Sequence, residues 1–385
     1  MTIDNTTIVI SCILLLFALT SGLFNVFLKK PKAGLTGKSE PQTDTDTVCR
    51  PGFSVVMSVH DNCAEIRKNL PLILSQQYNG EFEVIVVDES STDDTGDILK
   101  QLKSEYPNLY VTFIPASSHY LSRRKLALTL GIKAAKHEWI ILTDADCRPA
   151  GNMWLESIAE HCDKDADIIL GNTVYTHETQ SSLRFMRMYE VFSQIKATQN
   201  GNACCYTGNN LAIRKSVFFR HNGFLKNLKY LRGEYEYMVN EYATATNTRT
   251  DINPEALVIQ DEPYRKKWIN AQLFHIHTMK HIGRCTAYRL RTATDTAMLH
   301  TNTILQLTAA AISAATSQWI VLSAAVSALL LAAAVRTISV KKAARLMGED
   351  FNTFAVPFLY WSMLWRRLRL SITYRMSDKY DFIRK

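Results

Sequence analysis

The chain has 385 residues, enough for one large or two ordinary domains with a sizeable core. Its formal charge is +8, but residues 336–385 alone carry eleven Lys and Arg against four Asp and Glu, so the remainder is nearly balanced. That distribution excludes a nucleic-acid partner, which needs a basic patch on the folded domain, and fits a basic tail on an anionic membrane surface. The eight cysteines, at 12, 49, 63, 147, 162, 204, 205 and 285, include no paired CxxC motifs. This argues against a zinc site and for a reduced, cytosolic setting. Adjacent Cys204 and Cys205 would point to opposite sides of a strand and so not share one site.

Residues 8–28 are uncharged and mostly apolar, long enough to cross a bilayer. No basic n-region precedes them and no convincing cleavage site follows, so 1–30 reads as a retained anchor. Lys29, Lys30 and Lys32 place the following chain in the cytosol and the N-terminus outside. Residues 31–51, rich in Pro, Gly, Thr and Asp, read as a linker.

From Phe53 the texture alternates. Apolar runs predict strands at 53–59, 82–87, 109–114 and 139–143, with helices at 64–77, 93–106 and 122–136 between them. This order predicts an α/β domain, spanning 52–285, with a mostly parallel sheet. Two of the strands end in acids, at Asp88 and at Asp144 and Asp146, and such carboxyl ends open onto one crevice. Further on, the pattern predicts helices at 154–162, 183–199 and 268–282, strands at 166–175 and 257–260, and a Gly/Asn-rich loop at 200–208.

Residues 296–335 contain no Asp, Glu, Lys or Arg. As one helix they would run roughly 60 Å, about twice the hydrocarbon core. A transmembrane hairpin at 296–338, turning near Thr316-Ser317-Gln318, is more economical and returns the chain to the cytosol. The alternative is a buried Ala-rich helical domain. The basic tail at 339–385 then includes 351–365, an aromatic stretch followed by Arg366, Arg367 and Arg369 that suits a helix lying flat at the interface. A third crossing is the other reading of that stretch.

The chemistry centres on Thr143-Asp144-Ala145-Asp146-Cys147. Two carboxylates at a strand end suit a hard divalent cation, which takes oxygen ligands; an acidic capping turn is the plainer alternative. Asp88, followed by a Ser/Thr/Asp loop, could hold a ribose or a base edge, although Asp93 and Thr95 are explained by helix capping alone. Lys125, in a basic helix start, could meet a diphosphate, whereas Arg123 reads as a solvated basic turn.

In order, the segments Ser54-Val55-Val56-Met57-Ser58-Val59-His60-Asp61-Asn62, Val87-Asp88-Glu89-Ser90-Ser91-Thr92-Asp93, Lys125-Leu126-Ala127, Thr143-Asp144-Ala145-Asp146-Cys147, Gly208-Asn209-Asn210-Leu211-Ala212-Ile213-Arg214-Lys215 and Gly223-Phe224 resemble the family 2 glycosyltransferases of GT-A fold, over roughly residues 52–282. The terminal apolar segments resemble the membrane-bound bacterial members. The resemblance implies a Rossmann-like fold and transfer of a sugar, with inversion, from a nucleotide-diphospho-sugar such as a UDP-sugar to a lipid-linked or surface saccharide. It implies an inner-membrane, multi-pass protein with a cytosolic catalytic domain. Asp88 and Ser90 would contact the donor, Lys125 its diphosphate, and Asp144 and Asp146 a Mg²⁺ or Mn²⁺ ion, with Asp146 the direct ligand. A later acid would be the general base.

Two departures stand out. Where relatives carry acids after a glycine, this chain reads Gly233-Glu234-Tyr235-Glu236, leaving Glu236 or Glu234 as the base, since a tyrosine is a poor base at neutral pH. Where relatives show a Gln-x-x-Arg-Trp type of motif, the Arg is absent and His275 matches the family's His or Trp position, where it would support the metal or the diphosphate. His277 and His281 read as structural. The alternative function is a catalytically impaired relative that serves as a sugar-nucleotide-binding membrane scaffold.

Overall fold

The structure, a computed structural model, describes residues 4–29, 31, 50–115, 122–378 and 382. Nearly all of the expected linker, with Lys30, Lys32 and Cys49, lies outside the described residues. The chain divides into two compact units, one of residues 1–30 and 286–365, the other of residues 31–285 and 366–385.

The larger unit is an α/β domain. Helix α1 (Asn5–Leu23) belongs to the smaller unit; then come β1 (Phe53–Val59), α2 (Cys63–Leu74), β2 (Phe82–Asp88), α3 (Thr95–Glu105), β3 (Leu109–Phe113), α4 (Arg123–Ala134) and β4 (Trp139–Leu142). These strands pair in parallel in the order β3-β2-β1-β4. The chain winds outward from β1 to β3, then crosses back to place β4 on the other side of β1. That reversal is a switch point, where parallel sheets open a crevice at the strands' carboxyl ends.

Both faces of the sheet are covered, which is why the strands are apolar without alternation. Phe53, Val55, Met57, Trp139 and Ile141 join the core under α2 and α3, while Val56, Ile85, Val87, Ile140 and Leu142 join the core under α4. Each such side chain, fully buried, contributes about 1.5–3 kcal/mol. Helix α4 sits close to β1 because Gly131 faces it. A Cβ there would stand 2.5 Å from Val56 Cγ1.

The chain continues through β5 (Cys147–Pro149), α5 (Trp154–Ala159), β6 (Ile168–Leu170), β7 (Thr173–Tyr175), α6 (Ser181–Gln199), β8 (Leu211–Arg214), α7 (Lys215–Arg220), α8 (Glu234–Tyr242), β9 (Thr248–Thr250), β10 (Val258–Gln260) and α9 (Arg265–His281). Antiparallel β8 extends the main sheet from β4, followed by β6 and β9. Strands β5, β10 and β7 make a small second sheet. The single strand expected at 166–175 is therefore two strands in two sheets. The break is at Gly171, where a Cβ would lie 2.1 Å from Asn210 Nδ2; that amide in turn donates to Asn172 O and Ala256 O and occupies the corner. Helix α9 begins three residues before the expected 268, which brings Lys267 into its first turn.

The smaller unit contains α1, α10 (Thr286–Ala315), α11 (Trp319–Leu346) and the first half of α12 (Val356–Met376). The connection between α10 and α11 falls on residues 316–318, with Ser317 at φ 53°. Asp295 and Arg336, the first charges on either side of the uncharged run, pair with each other at 2.8 Å, which fixes the antiparallel register. Small residues line the packing of these helices, with Ala18 against Ala328 and Ala332, and Leu14 against Val321 and Ala325. Asn5–Leu23 and Trp319–Leu346 are long and apolar enough to cross a membrane. Helix α12 runs to Met376, well beyond the stretch 351–365 expected to lie at an interface.

Candidate active site

A cluster of paired charges gathers just beyond the end of β4. Asp144 Oδ1 is ion-paired to Arg124, from the first turn of α4, and accepts a hydrogen bond from the Tyr235 hydroxyl at 3.0 Å. The Arg124 guanidinium also lies 5.8 Å from the Tyr235 ring centroid, and its Nε is 3.8 Å from Glu234 Oε2. Burial by itself would raise the Asp144 pKa, but Arg124 and the Tyr235 hydroxyl outweigh it and hold the carboxyl below its ordinary range. Burial, with Asp144 beside it, drives the Tyr235 phenol well above its usual value. Tyr235 is therefore a hydrogen-bond donor to the carboxylate and holds its proton.

Asp146 has different partners. Its Oδ2 accepts from Lys267 Nζ at 2.8 Å and from Gln260 Nε2 at 3.2 Å, and Gln260 Oε1 in turn accepts from Arg187 at 3.2 Å. Burial would lower the Lys267 pKa, but Asp146 and then Asp144 raise it. Its ammonium thus interacts with both carboxylates. Behind them, Asn69 donates to Ala145 O at 3.0 Å and Asn209 to Cys147 Sγ at 3.4 Å, fixing the turn that aims the two acids.

Helix α8 presents the acidic cluster from a left-handed start. Gly233 has φ 94°, and a Cβ on it would lie 2.4 Å from Thr278 Oγ1, so only glycine fits there. The carboxylates of the first turn are favoured by the helix dipole. Glu234 is buried, with Oε1 lacking any hydrogen-bond partner. Glu236 instead meets His275, Nδ1 to Oε1 at 3.1 Å. Burial opposes protonation of His275, but Glu236 outweighs it and raises the imidazole pKa.

Other residues singled out in the sequence are placed as follows. Asp88 caps its own loop, accepting from Ser91 N at 2.9 Å and Ser91 Oγ at 2.6 Å. Ser90, at φ 63°, donates to Ile114 O and accepts from Arg123 at 2.9 Å, so Arg123 braces this loop and is not a solvated turn. Next to it Glu89 is raised by burial, against the pull of Arg124 and Arg232. One expected placement is corrected, that of Lys125. Lys125 is buried and donates to the backbone carbonyls of Asn227, at 2.8 Å, and Tyr230; it anchors the loop before α8, and the cation on the carboxylate is its neighbour Arg124. Burial lowers the Lys125 pKa to about 8. His275 bonds to Glu236, and among the described residues no hydrogen bond or ion pair joins it to Asp144 or Asp146.

Arg124, Tyr235 and Lys267 were missed as partners of the carboxylates. Arg124 stood beside the lysine that matched the family pattern, and Lys267 lay outside the expected helix. The carboxylate pair fits a hard divalent cation by the chemistry of its donors. The protein cations now on it are unequally held, since the Lys267 side chain is 41% exposed against 17% for Arg124.

Residues 54–221 match the family model described as Glycosyl transferase family 2. The chain is similar to glycosyltransferase AglE of Haloferax volcanii, with 27% identity over 161 residues, covering 40% of this chain and 51% of AglE. It is similar to the probable glycosyltransferase YdaM of Bacillus subtilis, with 25% identity over 223 residues, covering 55% of this chain and 51% of YdaM. The chain thus spans about half the length of these curated relatives. Among solved structures, mannosyltransferase PcManGT from Pyrobaculum calidifontis, in complex with GDP-Man and Mn²⁺, superposes with TM-score 0.51 at 18% identity, covering 85% of this chain and 98% of that one. That likeness is one of fold.

Proposed function

We propose, from the match of residues 54–221 to the glycosyl transferase family 2 model, that this chain transfers a sugar from a nucleotide-diphospho-sugar to a saccharide or lipid-linked acceptor. The observation that carries the reading is the convergence of Asp144 and Asp146 at the end of β4 on one set of cations, Arg124 and Lys267. Such a site handles a diphosphate with the same charges that now balance the acids.

In this account Asp146, with Asp144, would hold a Mg²⁺ or Mn²⁺ ion, which supplies Lewis-acid neutralisation of the leaving diphosphate. Lys267, paired with Asp146 at 2.8 Å, would be available to a phosphate oxygen of the donor once that carboxylate is engaged elsewhere. Arg124 and Tyr235 keep Asp144 ionised and oriented. The loop of Asp88 and Ser90 receives the nucleoside of a UDP-sugar. Glu234 is the base that takes the proton of the acceptor hydroxyl, because its Oε1 has no partner, whereas Glu236 is committed to His275. Attack of that hydroxyl on the anomeric carbon, opposite the diphosphate, inverts the centre in one displacement.

In this reading α1 and α11, the two helices among the described residues that are long and apolar enough to cross a membrane, anchor the protein in the bacterial inner membrane with α10 as the other arm of the hairpin, the transferase domain in the cytosol and the basic tail on anionic headgroups. This orientation suits a lipid-linked or exported saccharide.

The test is turnover by the full chain in detergent or vesicles, with UDP- and GDP-sugars, with and without Mn²⁺. Metal-dependent release of nucleoside diphosphate, abolished in Asp146→Asn, is expected. A wild type that binds nucleotide with metal yet never turns over any donor, with cell-derived acceptors supplied, would instead make it a sugar-nucleotide-binding scaffold.

A further inference from the structure

Three thiols from distant parts of the sequence meet in the interior of the larger unit. Cys204 and Cys205 lie in the loop between α6 and β8, and Cys285 is the unit's last residue before α10. Their sulfurs all lie within 4.8 Å of one another, and Cys204 Sγ is 3.8 Å from Cys205 Sγ. Neighbouring residues of a strand would diverge. These two sit in irregular backbone, so both side chains turn to the same side, which corrects the expectation that they share no site. All three are buried, at 3%, 1% and 0% exposure. The Cys285 thiol donates to Cys204 O at 3.2 Å, and the Asn240 amide approaches Cys285 Sγ at 3.8 Å. Among the described residues no His, carboxylate or fourth Cys joins the group.

Donor number and softness decide what such a group would take. Zinc in a closed site asks for four tetrahedral ligands. Three thiolates without a fourth ligand suit a soft d¹⁰ monovalent ion, which thiolate sulfur selects. A trigonal planar site with metal–sulfur bonds of about 2.3 Å puts its sulfurs about 4.0 Å apart, against 3.8 Å between Cys204 and Cys205 and no more than 4.8 Å for any pair. A fixed positive charge stands beside the group, since the Arg284 guanidinium donates to Asn240 O at 2.7 Å and Ala203 O at 3.0 Å.

We propose that Cys204, Cys205 and Cys285 form a buried trigonal thiolate site for a soft monovalent cation of the Cu(I) type. Loading breaks three S–H bonds, forms three metal–sulfur bonds and releases three protons to solvent, with no change in the oxidation state of metal or sulfur. The resulting complex carries two negative charges, which Arg284 partly offsets. The bound ion ties the loop before β8 to residue 285. That loop leads into Asn209, whose amide holds Cys147 next to Asp146, so occupancy stiffens the turn behind the carboxylates. The site stands independently of the transferase reading.

The test is anaerobic titration of the reduced full chain with Cu(I) against a chromophoric chelator. Wild type and Cys162→Ala, a control at a thiol that bonds instead to Ile158 O, are expected to take up one ion tightly. Cys204→Ser and Cys285→Ser each lose about a hundredfold or more in affinity, since disturbing even an outer-shell partner of a metal ligand costs roughly 10–100-fold. Should either variant fail to fold, X-ray absorption of the loaded wild type decides, with three sulfur neighbours expected. Unchanged affinity in folded Cys285→Ser, or two-sulfur coordination in the wild type, overturns the proposal.

Discussion

Glu234 and Glu236 stand two residues apart, as Asp144 and Asp146 do, yet the two pairs end in opposite arrangements. The aspartates flank a tight turn just beyond β4, closed by Cys147 N–H donating to Asp144 O at 3.0 Å, and the Lys267 ammonium interacts with both. The glutamates open a helix, where two residues are about 200° of rotation. Glu234 therefore turns to Arg124, and Glu236 turns away to His275. Between them Tyr235 reaches back to Asp144. One spacing thus builds a convergent site on one backbone and divides two carboxylates between two environments on the other.

The comparison can be strained from both ends. Asp146→Asn removes the carboxylate whose cation is most easily exchanged, and should lower kcat by roughly a hundred- to a thousandfold; a loss below tenfold would show that the aspartate pair is not the charged centre. Arg124→Met leaves Asp144 partly buried without its charge partner. It should destabilise the larger unit by about 3 kcal/mol, read from denaturant midpoints, with Asp144→Asn in the same background recovering most of the loss. Tyr235→Phe keeps the ring and removes one hydrogen bond to a charged group, for about 1.5 kcal/mol. The smallest effect lies on the divergent side. The His275 pKa is raised by Glu236, so the pair's contribution is complete below the unfolded value of about 6.5 and is lost as pH rises through the higher folded value. The Tm difference between wild type and His275→Gln should shrink as pH is raised above neutrality, and a difference that grows would contradict the pairing.

Strand positions and the parallel sheet were legible because burial on both faces leaves continuous apolar runs such as Trp139–Leu142. The uncharged run at 296–335 likewise announced two helices and their turn. The strand at 166–175 misled because nothing local reveals that Asn210, 39 residues on, fills the corner at Gly171. In the site, the acids of β4 stood out against apolar neighbours. Their partners did not, because Arg124, Tyr235 and Lys267 come from three different helices and are joined only by the fold. The resemblance drew Lys125 forward, whereas burial commits that lysine to the carbonyls of Asn227 and Tyr230. Cys204 and Cys205 misled for the opposite reason, a strand rule applied to a loop.

The most direct measurement is kcat for Glu234→Gln and Glu236→Gln side by side, in the full chain with Mn²⁺ and saturating donor. If the helix divides the two as described, Glu234→Gln falls by about a hundredfold or more, as loss of a general base does, and Glu236→Gln stays within tenfold of wild type. The reverse order, or equal losses, would contradict the assignment of Glu234 and the reading of the two pairs.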